Sequence, residues 1–204
     1  MTATKKILTI ALIISNLSFV NAQSFVKGQK DLNIGVGAGN RYVNSFYNSS
    51  SPALVASLEF AVTDEISLGG FLGYTGGTYK TGNYYTICGG NYVGPYYDTY
   101  RYSYSVLGFR AAYHFAKYVA VDKLDLYAGL MLGSAYASVN FSSTAPCNNT
   151  GLYSSGSVFA YSFYAGLRYR FNDKIGLYTE LGYGMSYFSF GVNFKFGGSS
   201  SGSK

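Results

Sequence analysis

The chain has 204 residues, with 15 Lys and Arg against 9 Asp and Glu; Gly (26), Tyr (23) and Phe (15) abound, and Trp is absent. Only 12% of residues are charged, against roughly 25% in a soluble domain, which is too few to cover an ordinary water-facing surface. Yet beyond residue 22 nothing approaches the roughly 20 consecutive apolar residues of a membrane helix, and no Lys/Arg cluster marks a nucleic-acid surface.

Residues 1–22 have the layout of a cleaved Sec signal peptide. Lys5 and Lys6 form a basic start, ILTIALIISNLSFV (7–20) is the apolar stretch, and Val20-Asn21-Ala22 puts small residues at the cleavage positions. No Cys follows the expected cut, which argues against a lipid anchor. Removing Lys5 and Lys6 leaves 13 basic residues against 9 acidic, a net of +4.

Period-2 alternation then recurs between turn-type residues, and eight strands are expected. The first, near 31–43, carries Leu32, Ile34, Val36 and Ala38 on one face; the second, near 53–62, carries Leu54, Ala56, Leu58, Phe60 and Val62. After a Thr63-Asp64 turn the third, near 65–75, carries Ile66, Leu68, Leu72 and Tyr74. The fourth (101–116) has Leu107, Phe109, Ala111, Tyr113 and Phe115, and the fifth (124–139) has Leu124, Leu126, Ala128, Leu130 and Leu132. The sixth (157–171) has Phe159, Tyr161, Phe163, Leu167, Tyr169 and Phe171; past Asn172-Asp173-Lys174 the seventh (175–184) has Ile175, Leu177, Leu181 and Tyr183. The eighth centres on SFGVNFKF, residues 189–196, where Phe190, Val192, Phe194 and Phe196 alternate with Ser189, Gly191, Asn193 and Lys195.

The opposite face of these strands is small or polar: Asn33, Gly35, Gly37, Gly39, Ser57, Ser67, Gly69, Gly108, Gly129 and Ser162, with the strand charges among them. Connections after the second, fourth and sixth strands are short, while 76–99 and 140–156 are long. A soluble sandwich would bury the apolar face; an outer-membrane barrel turns it to lipid and fills a narrow lumen with small and polar side chains. Glycine, scarce charge, abundant Tyr and Phe and an export signal favour the second arrangement. The expectation is an all-β fold, an eight-stranded antiparallel transmembrane up-and-down β-barrel over 23–196, with a flexible Gly/Ser tail at 197–204.

The last strand resembles the terminal β-signal of bacterial outer-membrane proteins. Its pattern is a polar residue, Gly, an aromatic or apolar residue and a final aromatic at fixed spacing, filled here by Ser189, Gly191, Phe194 and Phe196. Strand number, loop asymmetry and length resemble the small OmpX-like barrels and the OmpA transmembrane domain. One departure is that GGSSSGSK follows the last aromatic, as a periplasmic extension or an added scar. The resemblance implies the bacterial outer membrane, contact with its lipid and lipopolysaccharide, and insertion by the barrel-assembly machinery.

Arg41, Glu59, Arg110, Arg168, Arg170 and Glu180 share the inferred lumen face. A lone buried charge costs several kcal/mol, so these residues are expected either to pair into a plug or to line a narrow channel. Cys88 and Cys147, the only cysteines, lie in the two long loops and suit a disulfide, with free thiols or an intermolecular bridge as alternatives. No His or further Cys nearby suggests a metal, and no cofactor is expected. His114, the only histidine, falls near the short-turn end of the fourth strand, so no Ser-His-Asp cluster can be assembled at the outer rim and no enzyme is expected. Tyr84, Tyr85, Tyr92, Tyr96 and Tyr97 of the 76–99 loop are candidates to contact an external surface or glycan. The functional expectation is thus a structural or surface-interaction protein, the alternative a small porin-like channel.

Overall fold

The computed structural model describes residues 25–39, 41–42, 48–119, 121, 123–147 and 151–197, with 151–153 as backbone only. The expected signal peptide and tail residues 198–204 lie outside the described residues. The alternating segments form eight long strands: β1 (Lys30–Ala38), β2 (Ala53–Ala61), β3 (Ile66–Lys80), β4 (Asp98–His114), β5 (Leu124–Ser143), β6 (Gly151–Arg170), β7 (Ile175–Tyr183) and β8 (Phe188–Phe196). Each pairs antiparallel with its neighbours in sequence. β1 also pairs with β8, from Lys30↔Phe196 to Ala38↔Phe188, so the sheet closes into a barrel. Closure leaves no strand edge along the paired length, the condition for a sheet to sit in hydrocarbon.

Side chains sort by parity. Leu54, Leu72, Leu107, Phe109, Phe163, Leu181 and Phe190 point outward, with Phe109 83% and Phe190 55% exposed. Asp31, Asn33, Glu59, Arg168 and Asn193 point inward and are almost fully buried. On β3 the outward band from Ile66 to Tyr74 spans roughly 26 Å of strand, or roughly 20 Å of height at a tilt of about 40°, near the roughly 25 Å of an outer-membrane belt.

The lumen is narrow enough that tyrosines need glycines opposite them. A Cβ on Gly166 would lie 2.3 Å from Tyr127 Cζ, one on Gly129 2.6 Å from the Tyr164 hydroxyl, and one on Gly35 2.5 Å from that of Tyr178. Large and small side chains therefore interlock across the barrel interior.

The turns follow side-chain chemistry. Thr63 Oγ1 accepts the Ile66 N–H at 2.9 Å between β2 and β3. Asn172 Oδ1 accepts those of Lys174 and Ile175, both at 2.9 Å, between β6 and β7. A 3₁₀ turn, Ala116–Tyr118, follows β4.

At the other end the structure departs from the expected boundaries. β1 stops at Ala38, because Gly39 takes φ +62° and turns the chain. β3, β4, β5 and β6 run further than alternation indicates: β6 begins at Gly151 but meets β7 only from Phe163. Half of the wall therefore stands above the rim. The ladder continues there because backbone hydrogen bonds need no apolar face, and the sequence loses its alternation because neither face meets lipid.

Gly166→Ala is expected to destabilise the barrel by about 1–3 kcal/mol, since Tyr127 is held from two sides and cannot yield. Gly70→Ala, whose Cβ would meet nothing within 4 Å, should be neutral. Urea unfolding followed by the heat-modifiable gel shift compares the two.

Candidate functional site

Inside the short-turn half of the barrel, burial forces every charge to find a partner. Glu59 of β2 receives Arg168 Nη2 at 2.6 Å and Arg110 Nε at 3.0 Å. Arg110 also reaches Glu180 Oε1 at 2.6 Å, which accepts the Tyr127 hydroxyl at 2.8 Å. Arg168 bridges on to Asp125 Oδ2 at 3.3 Å, and Arg170 meets Asp31 Oδ1 at 3.1 Å. Asn193 donates to Asp31 Oδ1 at 3.0 Å and to Asn33 Oδ1 at 2.9 Å. The guanidiniums of Arg110 and Arg168 lie 3.9 Å and 4.2 Å from the ring centres of Tyr164 and Tyr127.

Five of the six charges grouped by parity, Glu59, Arg110, Arg168, Arg170 and Glu180, thus meet in one cluster. Arg41 stands apart from it. Past the turn at Gly39 its guanidinium lies at the long-loop rim, 4.9 Å from the Tyr161 ring, 5.3 Å from Tyr183 and 5.7 Å from Tyr42. Parity cannot be carried through a residue with positive φ, so grouping it with the lumen charges is corrected. Sequence reasoning also missed Asp31, Asp125 and His114 in the cluster, though Asp31 shares parity with Asn33 and Asp125 with Gly129.

His114 completes an unexpected arrangement. Ser67 Oγ lies 2.9 Å from His114 Nε2, and His114 Nδ1 lies 2.8 Å from Asp125 Oδ1. The geometry is that of a Ser-His-Asp triad, at the opposite end from the outer rim. All three side chains are fully buried, and Ser67 also contacts Glu59 at 3.3 Å. Phe25, before β1, stacks on the imidazole at 3.5 Å between centroids and 4° between planes. With no approach left to Ser67 Oγ, the trio acts as part of the filling.

Towards the long-loop end the filling turns apolar, through Ala53, Val55, Phe71, Val106, Met131, Ala135, Ala160 and Met185. Between the two layers lies a void of about 20 Å³, lined by Arg110, Glu180, Tyr164 and Met185 among others; it is room for about one water.

Above the rim, Tyr84–Cys88 and Asn91–Tyr96 pair as a hairpin turned by Gly89 and Gly90, at φ +62° and +82°. A Cys88–Cys147 disulfide ties it to the segment after β5, with Cα atoms 5.6 Å apart. The candidate tyrosines divide. Tyr84 anchors the hairpin, donating to Asp98 Oδ1 at 2.7 Å, and Tyr96 pairs with it in the ladder. Tyr85 and Tyr92 stack at 5.5 Å and stand 55% and 74% exposed, with Ile87 beside them on the outside. Tyr97 lies exposed beneath the Lys80 ammonium, 5.5 Å from it.

In β8, Ser189 and Gly191 face the lumen and Phe194 and Phe196 face outward. Gly191 sits against Gly35, and a Cβ there would be 2.1 Å from Ile34 O.

Two solved structures share this architecture, and a third is a weaker match. The crystal structure of Ail, the attachment invasion locus protein of Yersinia pestis, in complex with the heparin analogue sucrose octasulfate, matches with a TM-score of 0.54 at 11% identity, over 84% of this chain and 100% of that one. A second Ail crystal structure gives 0.51 at 12%, with the same coverage. The N-terminal β-barrel domain of Pseudomonas aeruginosa OprF gives 0.42 at 16%, over 83% and 98%. No protein-family model and no curated protein matches the chain. A closed barrel with apolar exterior and charged interior, in the fold of Ail, defines a small eight-stranded β-barrel of the bacterial outer-membrane type. The chain has the fold of small transmembrane β-barrels.

Glu59→Ala should be the costlier break in the cluster, at about 3–5 kcal/mol, because it takes a close carboxylate from two buried guanidiniums at once. Glu180→Ala frees only one and stands nearer the residual void. Urea unfolding midpoints rank the pair; equal or reversed losses would contradict this reading of the cluster.

Proposed function

We propose that this protein is a surface-contact protein of the outer membrane, with a plugged lumen and long loops outside, that touches an external surface or glycan through its disulfide-tied hairpin. The observation carrying this reading is the stacked, exposed Tyr85–Tyr92 pair on a covalently anchored finger. Rigid aromatic faces give large contact area at low entropic cost, and they stack on sugar rings. The void of about 20 Å³ supports a plug over the porin-like alternative.

Ail is an attachment invasion locus protein crystallised with a heparin analogue. The hairpin of this chain differs in kind from a polyanion receptor, since residues 81–97 contain no charged side chain. Its partner is therefore an uncharged surface or neutral glycan, and its binding should survive salt that screens ion pairs. Outer-leaflet lipid and lipopolysaccharide surround the belt. Ser189, Gly191, Phe194 and Phe196 serve as the signal read by the barrel-assembly machinery, with both chain termini in the periplasm.

Proteoliposomes carrying the full chain are expected to bind a neutral-glycan array, or host-cell matrix, equally at low and high salt. Tyr85→Ser with Tyr92→Ser should remove at least about tenfold of that binding, the scale of a stacked aromatic contact, while the gel shift of the folded barrel persists. Loss of binding at high salt would contradict the neutral-contact reading. In planar bilayers the unaltered protein should give no stable discrete openings. Phe196→Ser is expected to lower membrane insertion in cells more than it lowers unfolding resistance of the folded barrel; equal effects would count against a recognition role.

A further inference from the structure

On the outward face of the raised wall, just above the apolar belt, lies a groove of about 480 Å³. That volume falls within the range of small-ligand sites. Its wall is a row across three strands, Thr78 of β3, Arg101 of β4 and Asn140 of β5, which are register partners. Ser49, Ser50 and Ser51 border it, since Ser49 and Ser50 pair with Thr78 and Gly77. Gly76 and Gly77 leave its floor low, and a Cβ on Gly76 would come 2.8 Å from Tyr102 O, so that floor cannot fill with side chain. Tyr74 closes the end nearest the belt.

The chemistry of this lining is one-sided. Arg101 is exposed, is the only charged residue among the described lining residues, and has no hydrogen bond or ion pair among the described residues. Among the described lining residues there is no carboxylate to oppose an anion beside Arg101. The lining on the same face as Arg101 includes Ser49, Thr78, Ser103 and Asn140, short polar side chains that donate and accept. Neighbouring strands hold the backbones of Thr78, Arg101 and Asn140 roughly 4.8 Å apart, so the three side chains stand side by side on one face. A guanidinium binds phosphate, sulfate or carboxylate through paired N–H groups, while Tyr74 offers an aromatic face for the ring.

We propose that this groove is a binding site for an acidic sugar, a hexose-sized ring bearing one phosphate, sulfate or carboxylate that Arg101 receives. Two sources share this chemistry. The glycolipid of the outer leaflet would bring its headgroup to this height, because Thr78 lies four residues beyond the girdle residue Tyr74 on the same face of β3. A soluble acidic glycan would arrive from outside. The site is separate from the Tyr85–Tyr92 finger, so failure of either leaves the other standing.

The test uses the full chain in phospholipid nanodiscs, followed by backbone NMR. Titration with glucose 6-phosphate should shift the resonances of Thr78, Arg101, Ser103 and Asn140, whereas glucose and inorganic phosphate should bind more weakly. Arg101→Gln, an exposed change, should weaken glucose 6-phosphate at least about tenfold, as expected for a charge-assisted contact, with strand resonances of the barrel unmoved. In nanodiscs containing lipopolysaccharide, groove shifts present before titration and abolished by Arg101→Gln would assign the headgroup; an empty groove that still takes glucose 6-phosphate would assign a soluble glycan. Absence of groove shifts with every probe, an equal response to inorganic phosphate, or indifference to Arg101→Gln would overturn the proposal.

Discussion

A backbone amide left unpaired in hydrocarbon costs several kcal/mol, and the seam between β1 and β8 is where this chain removes the last row of them. The seam pairs residues from Lys30↔Phe196 to Ala38↔Phe188, and it is tight. Gly35 stands opposite Gly191, and neither position leaves room for a Cβ. Closure at eight strands then dictates the rest. The ring is narrow, and what points inward must be compact, interlocked or paired.

The interior is therefore built in two ways along its axis. Towards the short turns, carboxylates and guanidiniums neutralise one another through Glu59, Arg110, Arg168 and Asp125, with Tyr127 and Tyr164 packed against the guanidinium faces. Towards the long loops, Val55, Phe71, Met131 and Met185 fill the same cylinder with apolar bulk. The two halves solve one problem differently. Paired charges satisfy the polar groups that a water-free space would otherwise strand, and the apolar layer leaves none to satisfy. The Ser67–His114–Asp125 trio belongs to the first solution, and Phe25 covers it from the N-terminal side.

Most of the barrel was legible because lipid outside and a filled lumen inside impose a strict period of two. Leu54, Leu58 and Phe60 against Val55, Ser57 and Glu59 declare β2 at a glance, and the same parity locates Arg110, Arg168 and Glu180. Legibility failed where that constraint lapses. In 98–100, 140–143 and 151–156 the alternation of apolar and small residues lapses, so these parts of the wall of β4, β5 and β6 read as loop. It failed again at Arg41, where Gly39 breaks the register that parity needs.

By itself, then, the sequence determined strand number, the face given to lipid, the segments carrying turns and the five charges enclosed in the cluster. Each of these follows from local alternation and from the expense of exposing the wrong atoms to hydrocarbon. Only the tertiary structure decided which carboxylate meets which guanidinium, because Glu59 and Arg168 lie 109 residues apart and touch across the closed lumen. It also decided that Tyr84 anchors the hairpin while Tyr85 and Tyr92 face outward, and that Thr78, Arg101 and Asn140 share one outward row. Those pairings depend on register between strands and on curvature of the whole sheet, which no local pattern records.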